Sequence, residues 1–186
     1  VMITASHNPP EYNGFKVCLG TDSVHGQELQ KIREIIENKA FAEGEGSRRE
    51  ADAVTPYTRY IVDTIDIPGG MRIGIDAGNG TAGVVALPLL KELQCEVHPL
   101  YCDMDGRFPN HEADPTVAAN LRDLTHLVKE KNLSLGIGYD GDGDRIGVID
   151  ENGEIIYGDQ LMIIFAREIL SQIGRASCRE RVCHRV

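Results

Sequence analysis

The sequence has no apolar run near the ~20 residues that a membrane helix requires, so no membrane span is expected. It is short of positive charge: 19 Lys and Arg face 29 Asp and Glu, for a formal net charge of −10. That deficit argues against nucleic acid and against an anionic membrane surface as partners. It does not exclude a phosphorylated ligand, because a local site can be cationic or metal-loaded inside an acidic protein. No internal repeat is evident. Cysteine is sparse and odd in number, five in 186 residues. Cys18, Cys95 and Cys102 stand singly among apolar neighbours, and buried thiols in a reducing, cytoplasmic compartment are expected. An initiating Met is lacking. Val1 comes first, and the chain is expected to start inside a longer reading frame.

What is present is ordinary globular composition, 41% hydrophobic and 26% charged, enough for one or two cores. Residues 1 to about 20 read as a strand end and loop, with Asn8-Pro9-Pro10 and Asn13-Gly14 as turn signals. Leu29, Ile32, Ile35 and Ile36 recur at helical spacing within a helix from about Gly26 to Lys39. A Glu-, Gly- and Arg-rich stretch from Phe41 to Ala53 reads as a solvated linker, and a short helix is expected around Tyr57 to Thr64. From Met71 onward, strands alternate with helices. Strands are expected at 71–76, 95–101, 133–139 and 146–150, and helices at 82–93 and 121–131. A hairpin follows at Asn152-Gly153, then a helix from Gln160 to about Ser171. This alternation predicts an α/β fold with mixed, mainly parallel sheets flanked by helices, the late hairpin adding an antiparallel edge. Residues 174–186 turn abruptly to Arg and Cys and are read as a non-native tail; a basic arm with a Cys/His cluster is the alternative.

Two segments carry chemistry. In Thr4-Ala5-Ser6-His7-Asn8-Pro9, a serine sits in a loop rich in hydrogen-bonding groups. Its hydroxyl needs a base or a metal to become a nucleophile. The plainer reading is a turn in which Ser6 and Asn8 bond local backbone. In Asp140-Gly141-Asp142-Gly143-Asp144-Arg145, three carboxylates alternate with glycines and can converge on one hard cation. Without a cation they would repel one another. An exposed acidic turn is the plainer reading here. A calcium EF-hand also competes, with Glu151 at its twelfth position. However, Arg145 replaces the sixth-position Gly, and strands are expected where helices would be needed. Arg145 instead sets a fork of donors beside the cation, suited to phosphate.

Two further segments carry weaker signals. Gly78-Asn79-Gly80-Thr81-Ala82-Gly83 matches a dinucleotide fingerprint between a strand and a helix, with Asp103 at a suitable distance. Asp76 at the strand end opposes a pyrophosphate, and a tight turn is the preferred reading. The stretch from Asp103 to Pro115, with its lone His111, is read as a polar connecting loop, a second metal or substrate loop being the alternative.

The first two segments together resemble the alpha-D-phosphohexomutase superfamily, in its bacterial phosphomannomutase/phosphoglucomutase branch. Thr-Ala-Ser-His-Asn-Pro, with Tyr12-Asn13-Gly14-Phe15-Lys16 after it, is similar to that family's phosphoserine loop. Asp-Gly-Asp-Gly-Asp-Arg is similar to its metal loop. Gly106 to Pro115 also resembles a family segment. The likeness runs from Val1 to about Ser171.

The resemblance implies that Ser6 carries the phosphoryl group and that Asp140, Asp142 and Asp144 bind Mg2+, with a phosphoserine oxygen completing the site. It further implies Lys16 as general acid/base, Arg145 at the reaction centre, and His7 and Asn8 positioning the loop. The implied reaction interconverts hexose 1- and 6-phosphates of mannose or glucose through a hexose 1,6-bisphosphate, which serves as intermediate and activator. Phosphoglucosamine mutase is the nearest alternative, and a dinucleotide-binding module the alternative of another class. Against the family's four domains, residues 1–55 correspond to the C-terminal part of domain I, 56–157 to domain II and 158–173 to the start of domain III. The sugar-recognition loop and the phosphate-gripping C-terminal domain are not among these residues, so little turnover is expected from them alone.

Overall fold

The structure is a computed structural model that describes residues 1–6, 8, 9 and 11–181, with side chains described up to residue 171. The N-terminal part holds two small antiparallel hairpins. The first pairs β1 (Met2–Thr4) with β2 (Gly14–Lys16), and the second pairs β3 (Cys18–Leu19) with β4 (Asp22–Ser23). The helix α1 (Gln27–Glu37) follows and has no buried residue; its apolar Leu29, Ile35 and Ile36 stay exposed.

The helix α2 (Val54–Thr64) begins one turn earlier than apolar periodicity predicts. Asp52 explains the difference. Its Oδ1 accepts the N–H groups of Val54 and Thr55 at 3.0 and 3.1 Å, satisfying two orphan donors of the first turn. Pro56 is tolerated because it lies within that turn.

The remainder is a three-layer unit. A five-stranded sheet has the order β6-β5-β7-β8-β9, with β5 (Arg72–Asp76), β6 (Glu96–Leu100), β7 (Leu135–Tyr139), β8 (Ile146–Ile149) and β9 (Ile155–Ile156). The pairs β5/β6 and β5/β7 are parallel, while β7/β8 and β8/β9 are antiparallel. The predicted mixed sheet with a parallel centre and an antiparallel edge is therefore present.

Alternation along the strands separates the two faces. Ile73, Ile75, Leu135 and Ile137 pack with Ala86, Leu87 and Leu90 of α3 (Ala82–Glu92). The opposite face carries Gly74, Gly136, Gly138 and Gly147, in cross-strand register as Gly74–Gly136 and Gly138–Gly147. This stripe without side chains admits α4 (Arg122–Lys131) very closely. A Cβ on Gly136 would lie 2.9 Å from Val128 and 3.0 Å from Leu124. Leu121, Leu124, Val128, Leu133 and Ile149 form the core on this side.

The helix α5 runs from Gly158 to Arg181, ten residues beyond the Ser171 limit read from the sequence. Its start is capped by Tyr157 N–H donating to Gln160 Oε1 and by Asp159 in the first turn. Residues 174–181 include Arg, Ala and Glu, all good helix formers, so helical backbone continues where apolar periodicity ends. Residues 182–186 of the Arg/Cys-rich tail lie outside the described residues. One further expectation fails: Cys18 is exposed, because the hairpin that carries it is covered on neither side, whereas Cys95 is buried and Cys102 half-buried, all three free. Among the described residues, no helix is long and apolar enough to cross a membrane.

Candidate active site and metal centre

The connections put the site where a sheet of this kind opens. From β5 the chain returns through α3 to β6 on one side, then crosses through α4 to β7 on the other. The loops after β5 and β7 thus leave neighbouring parallel strands at their carboxyl ends, the edge at which sheets of this kind place their sites. The loop after β7 is Asp140 to Arg145.

That loop is tightly folded. Asp140 is fully buried; its carbonyl accepts the Gly143 N–H at 3.1 Å, and its Oδ1 accepts the Arg145 N–H at 3.0 Å. The turn brings one carboxylate oxygen each of Asp140, Asp142 and Asp144 within 4.8 Å of one another. The strands β7 and β8 flank the loop, which is incompatible with an EF-hand.

Side chains of the N-terminal segment reach all three carboxylates. Ser6 Oγ donates to Asp140 Oδ2 at 2.7 Å. Thr4 Oγ1 donates to Asp142 Oδ2. Lys16 Nζ lies 3.8 Å from Asp144 Oδ2, both side chains remaining more than half exposed. Register explains the set: Lys16 pairs with Met2 and Gly14 with Thr4, so side chains two apart along β1 and β2 share one face of the hairpin. Ser6 continues from that hairpin with a left-handed backbone, φ 52°. Asn8 closes the turn through its N–H to the Ala5 carbonyl at 3.0 Å. It lines an open cavity of about 460 Å³ with Ser6, Tyr12, Phe108 and Asp142. Arg145 enters the site through its backbone; its side chain is exposed and forms no ion pair among the described residues. His7 lies outside the described residues.

The electrostatics favour a cation here. Burial pushes the Asp142 carboxyl up, but hydrogen bonds from Thr4 and Ser6 and the nearby charge of Lys16 outweigh it, leaving the group below the usual carboxylate value. Asp142 Oδ1 is buried and has no hydrogen-bond partner among the described residues. Leaving a carboxylate oxygen dry and unpartnered is costly, and a metal ion is a partner that three converging carboxylates fit. The donor set is all oxygen, which suits a hard divalent cation.

The Gly78–Gly83 turn does not cradle a nucleotide. A Cβ on Gly80 would stand 2.6 Å from the Gly141 carbonyl oxygen, and one on Gly83 would stand 2.4 Å from that of Cys102. The glycines admit protein backbone instead. Thr81 donates both its N–H and its hydroxyl to the Gly141 carbonyl, at 3.0 and 3.2 Å. The turn is a buttress under the carboxylate loop.

The sequence reading missed the residues that hold this buttress. Asp76 is buried; its Oδ1 accepts the Gly78 N–H at 2.8 Å, and its Oδ2 contacts His111 Nε2 at 3.0 Å. Tyr101 meets His111 edge-on at 5.4 Å. Asn79 is left-handed, with φ 60°, and its side chain bonds the Asp103 carbonyl and Asn110. The loop from 103 to 115 is therefore a brace for the β5–α3 turn. No local signal pairs Asp76 with a histidine 35 residues away.

Comparison with known proteins agrees with this geometry. Residues 55–153, just over half of the chain, match the family described as phosphoglucomutase/phosphomannomutase, alpha/beta/alpha domain II; residues 1–43 match the corresponding domain I. The chain is 45% identical over 172 residues to a phosphomannomutase/phosphoglucomutase of Pseudomonas aeruginosa, covering 92% of this chain and 37% of that protein. It is 44% identical over 174 residues to a phosphoglucomutase of Neisseria meningitidis, covering 92% and 38%. A crystal structure of a phosphoglucomutase/phosphomannomutase family protein from Burkholderia thailandensis superposes with a TM-score of 0.84 at 41% identity, covering 91% of this chain and 37% of that one. The chain thus spans little more than a third of the length of these relatives. With a family match over most of its length and an α/β/α unit built around the acidic loop, the chain belongs to the phosphoglucomutase/phosphomannomutase family.

Proposed function

We propose that this chain supplies the phosphoserine loop and the metal-binding loop of a hexose phosphate mutase. The observation that carries the reading is the contact of Ser6 Oγ with Asp140 beside the converged Asp142 and Asp144. Asp140, Asp142 and Asp144 would hold Mg2+, with an oxygen of the group on Ser6 as a further ligand. When bound, the ion neutralises charge on a phosphoryl group and polarises its bond to the serine.

The chain's own residues supply position and proton handling, which is most of what phosphoryl transfer requires. A hydroxyl of a hexose phosphate attacks the phosphorus carried on Ser6. The bond to Ser6 Oγ breaks as the bond to the sugar oxygen forms; the sugar hydroxyl gives its proton to a base, and Ser6 Oγ keeps the electron pair of the broken bond and takes up a proton. Lys16 is the proposed acid/base, and its exposed position beside Asp144 leaves it able to reach a sugar in the cleft. Arg145 would direct its guanidinium to the phosphate, and Asn8, with His7, would shape the serine turn. The hexose 1,6-bisphosphate so formed returns its other phosphate to Ser6 after reorienting. The relatives' names favour mannose and glucose phosphates over glucosamine phosphate.

The domain reading belongs to the same proposal: residues 1–55 end domain I, 56–157 form domain II, and 158–173 open domain III. A cytoplasmic setting is included and is supported by the free thiols of Cys18, Cys95 and Cys102.

The test is metal binding followed by phosphoserine mapping. The chain is titrated with Mn2+ as a probe, then incubated with Mg2+ and glucose 1,6-bisphosphate and mapped by mass spectrometry. One divalent site that weakens in Asp142→Asn is expected, with phosphate on the peptide that carries Ser6 and none in Ser6→Ala. A chain that binds no divalent cation and takes up no phosphate overturns the proposal.

A further inference from the structure

Thr4 has no part in the proposed transfer chemistry, yet its side chain, like those of Ser6 and Lys16, joins the N-terminal segment to the carboxylate loop. It ends β1, and it faces the carboxylate loop because Met2 and Thr4 share one side of the strand. Its hydroxyl has a single proton, which goes to Asp142 Oδ2. A lone pair on the same oxygen accepts the Ser6 N–H at 3.3 Å. The direction of both bonds is therefore set: a carboxylate can only accept, and a backbone N–H can only donate.

The consequence falls on the other oxygen of Asp142. With Oδ2 held by Thr4, the carboxylate cannot rotate freely about its last bond, and Oδ1 remains buried, with no partner among the described residues. The hairpin fixes where Thr4 stands. Gly14 lies opposite it in register, so close that a Cβ there would be 2.2 Å from the Thr4 carbonyl oxygen. The strand thus places the hydroxyl, the hydroxyl orients the carboxylate, and the same oxygen tethers the backbone of Ser6.

We propose that Thr4 is a positioning residue of the metal centre, whose hydroxyl orients Asp142 so that Oδ1 is presented to the cation while tying that carboxylate to the serine turn. This rests on the reading of Asp140, Asp142 and Asp144 as cation ligands. Partners that orient a ligand in this way are typically worth about 10- to 100-fold in metal affinity.

The experiment measures Mn2+ affinity by calorimetry on the whole chain and on Thr4→Val, Thr4→Ser, Thr4→Ala and Asp142→Asn. Valine keeps the β-branched shape and the strand preference of threonine but loses the hydroxyl; serine does the reverse. The proposal expects Thr4→Val to bind Mn2+ about 10- to 100-fold more weakly, with Thr4→Ser close to the unmodified chain. A purely structural role expects the opposite order, with Val harmless and Ser weakened, and that result overturns the proposal. Should Thr4→Val misfold, Ala and Ser are compared. They are similarly poor strand formers and differ by the hydroxyl, and an equal weakening in both also overturns it. If the unmodified chain binds no Mn2+, or Asp142→Asn binds it unchanged, the metal reading itself fails. If that reading holds while Thr4→Val binds normally, only the role of Thr4 fails.

Discussion

Gly141 lies against Ser6 so closely that a Cβ added to it would stand 1.9 Å from the Ser6 carbonyl oxygen. Residues 135 positions apart in sequence thus touch through backbone alone, and the space between the serine turn and the carboxylate loop is already filled. Gly141→Ala must push the two apart. Overpacking of this kind costs about 1–3 kcal/mol. The hydrogen bond from Ser6 to Asp140 should break first, with Mn2+ affinity falling alongside thermal stability. Calorimetric titration and a melting curve on the same sample check both effects.

Gly83 is expected to be intolerant for a reason unrelated to nucleotides. Its missing side chain admits the Cys102 carbonyl at the start of α3. Gly83→Ala should lower the stability of the α/β/α unit by about 1–3 kcal/mol, measured by urea denaturation. NADH added to the unmodified chain should give no binding heat and no change in its fluorescence.

His111 provides a pH signature. Its hydrogen bond to Asp76 raises its pKa above the ordinary 6.5, against the opposing effect of burial. A group raised on folding stabilises the protein fully below the unfolded value. Its contribution is then lost as pH rises through the folded value. The gap in denaturation midpoint between the unmodified chain and His111→Phe should therefore be widest below pH ~6.5 and narrow above it. A gap independent of pH would mean that the imidazole packs without carrying charge.

Leu124 has no exposed surface and contacts the glycine stripe of the sheet. Leu124→Ala should destabilise the unit by about 2–5 kcal/mol, since α4 can collapse only partly onto strands it already touches. Hydrogen exchange would then rise across β7 and β8, which that core joins to α4. The N-terminal hairpins, which α4 does not support, should be little changed.

Local pattern made much of this protein legible. The alternation of strands with helices gave the layered fold, because a 2.0-residue and a 3.6-residue apolar period are distinguishable along the chain itself. The serine turn and the three alternating aspartates stood out because their residue types have few uses at that spacing. Capping by Asp52 and the glycine alternation of β5, β7 and β8 were also there to be read, as a side-chain donor pattern and a period of two. The fingerprint at Gly78–Gly83 misled, since a glycine spacing says that something approaches the backbone but not what.

Pairing across distance belonged to the tertiary structure alone. Composition gives no reason for Asp76 to select His111, for Thr81 to hold Gly141, or for Thr4, Ser6 and Lys16 to reach the three carboxylates. Those contacts follow from the crossover that sets β7 beside β5 and from the register that turns one hairpin face toward the loop. Residue identity settled which groups could do chemistry, because that is a property of side chains. Folding settled which of them meet, because that depends on strand order and register, and a one-residue slip would turn the hairpin's other face to the loop.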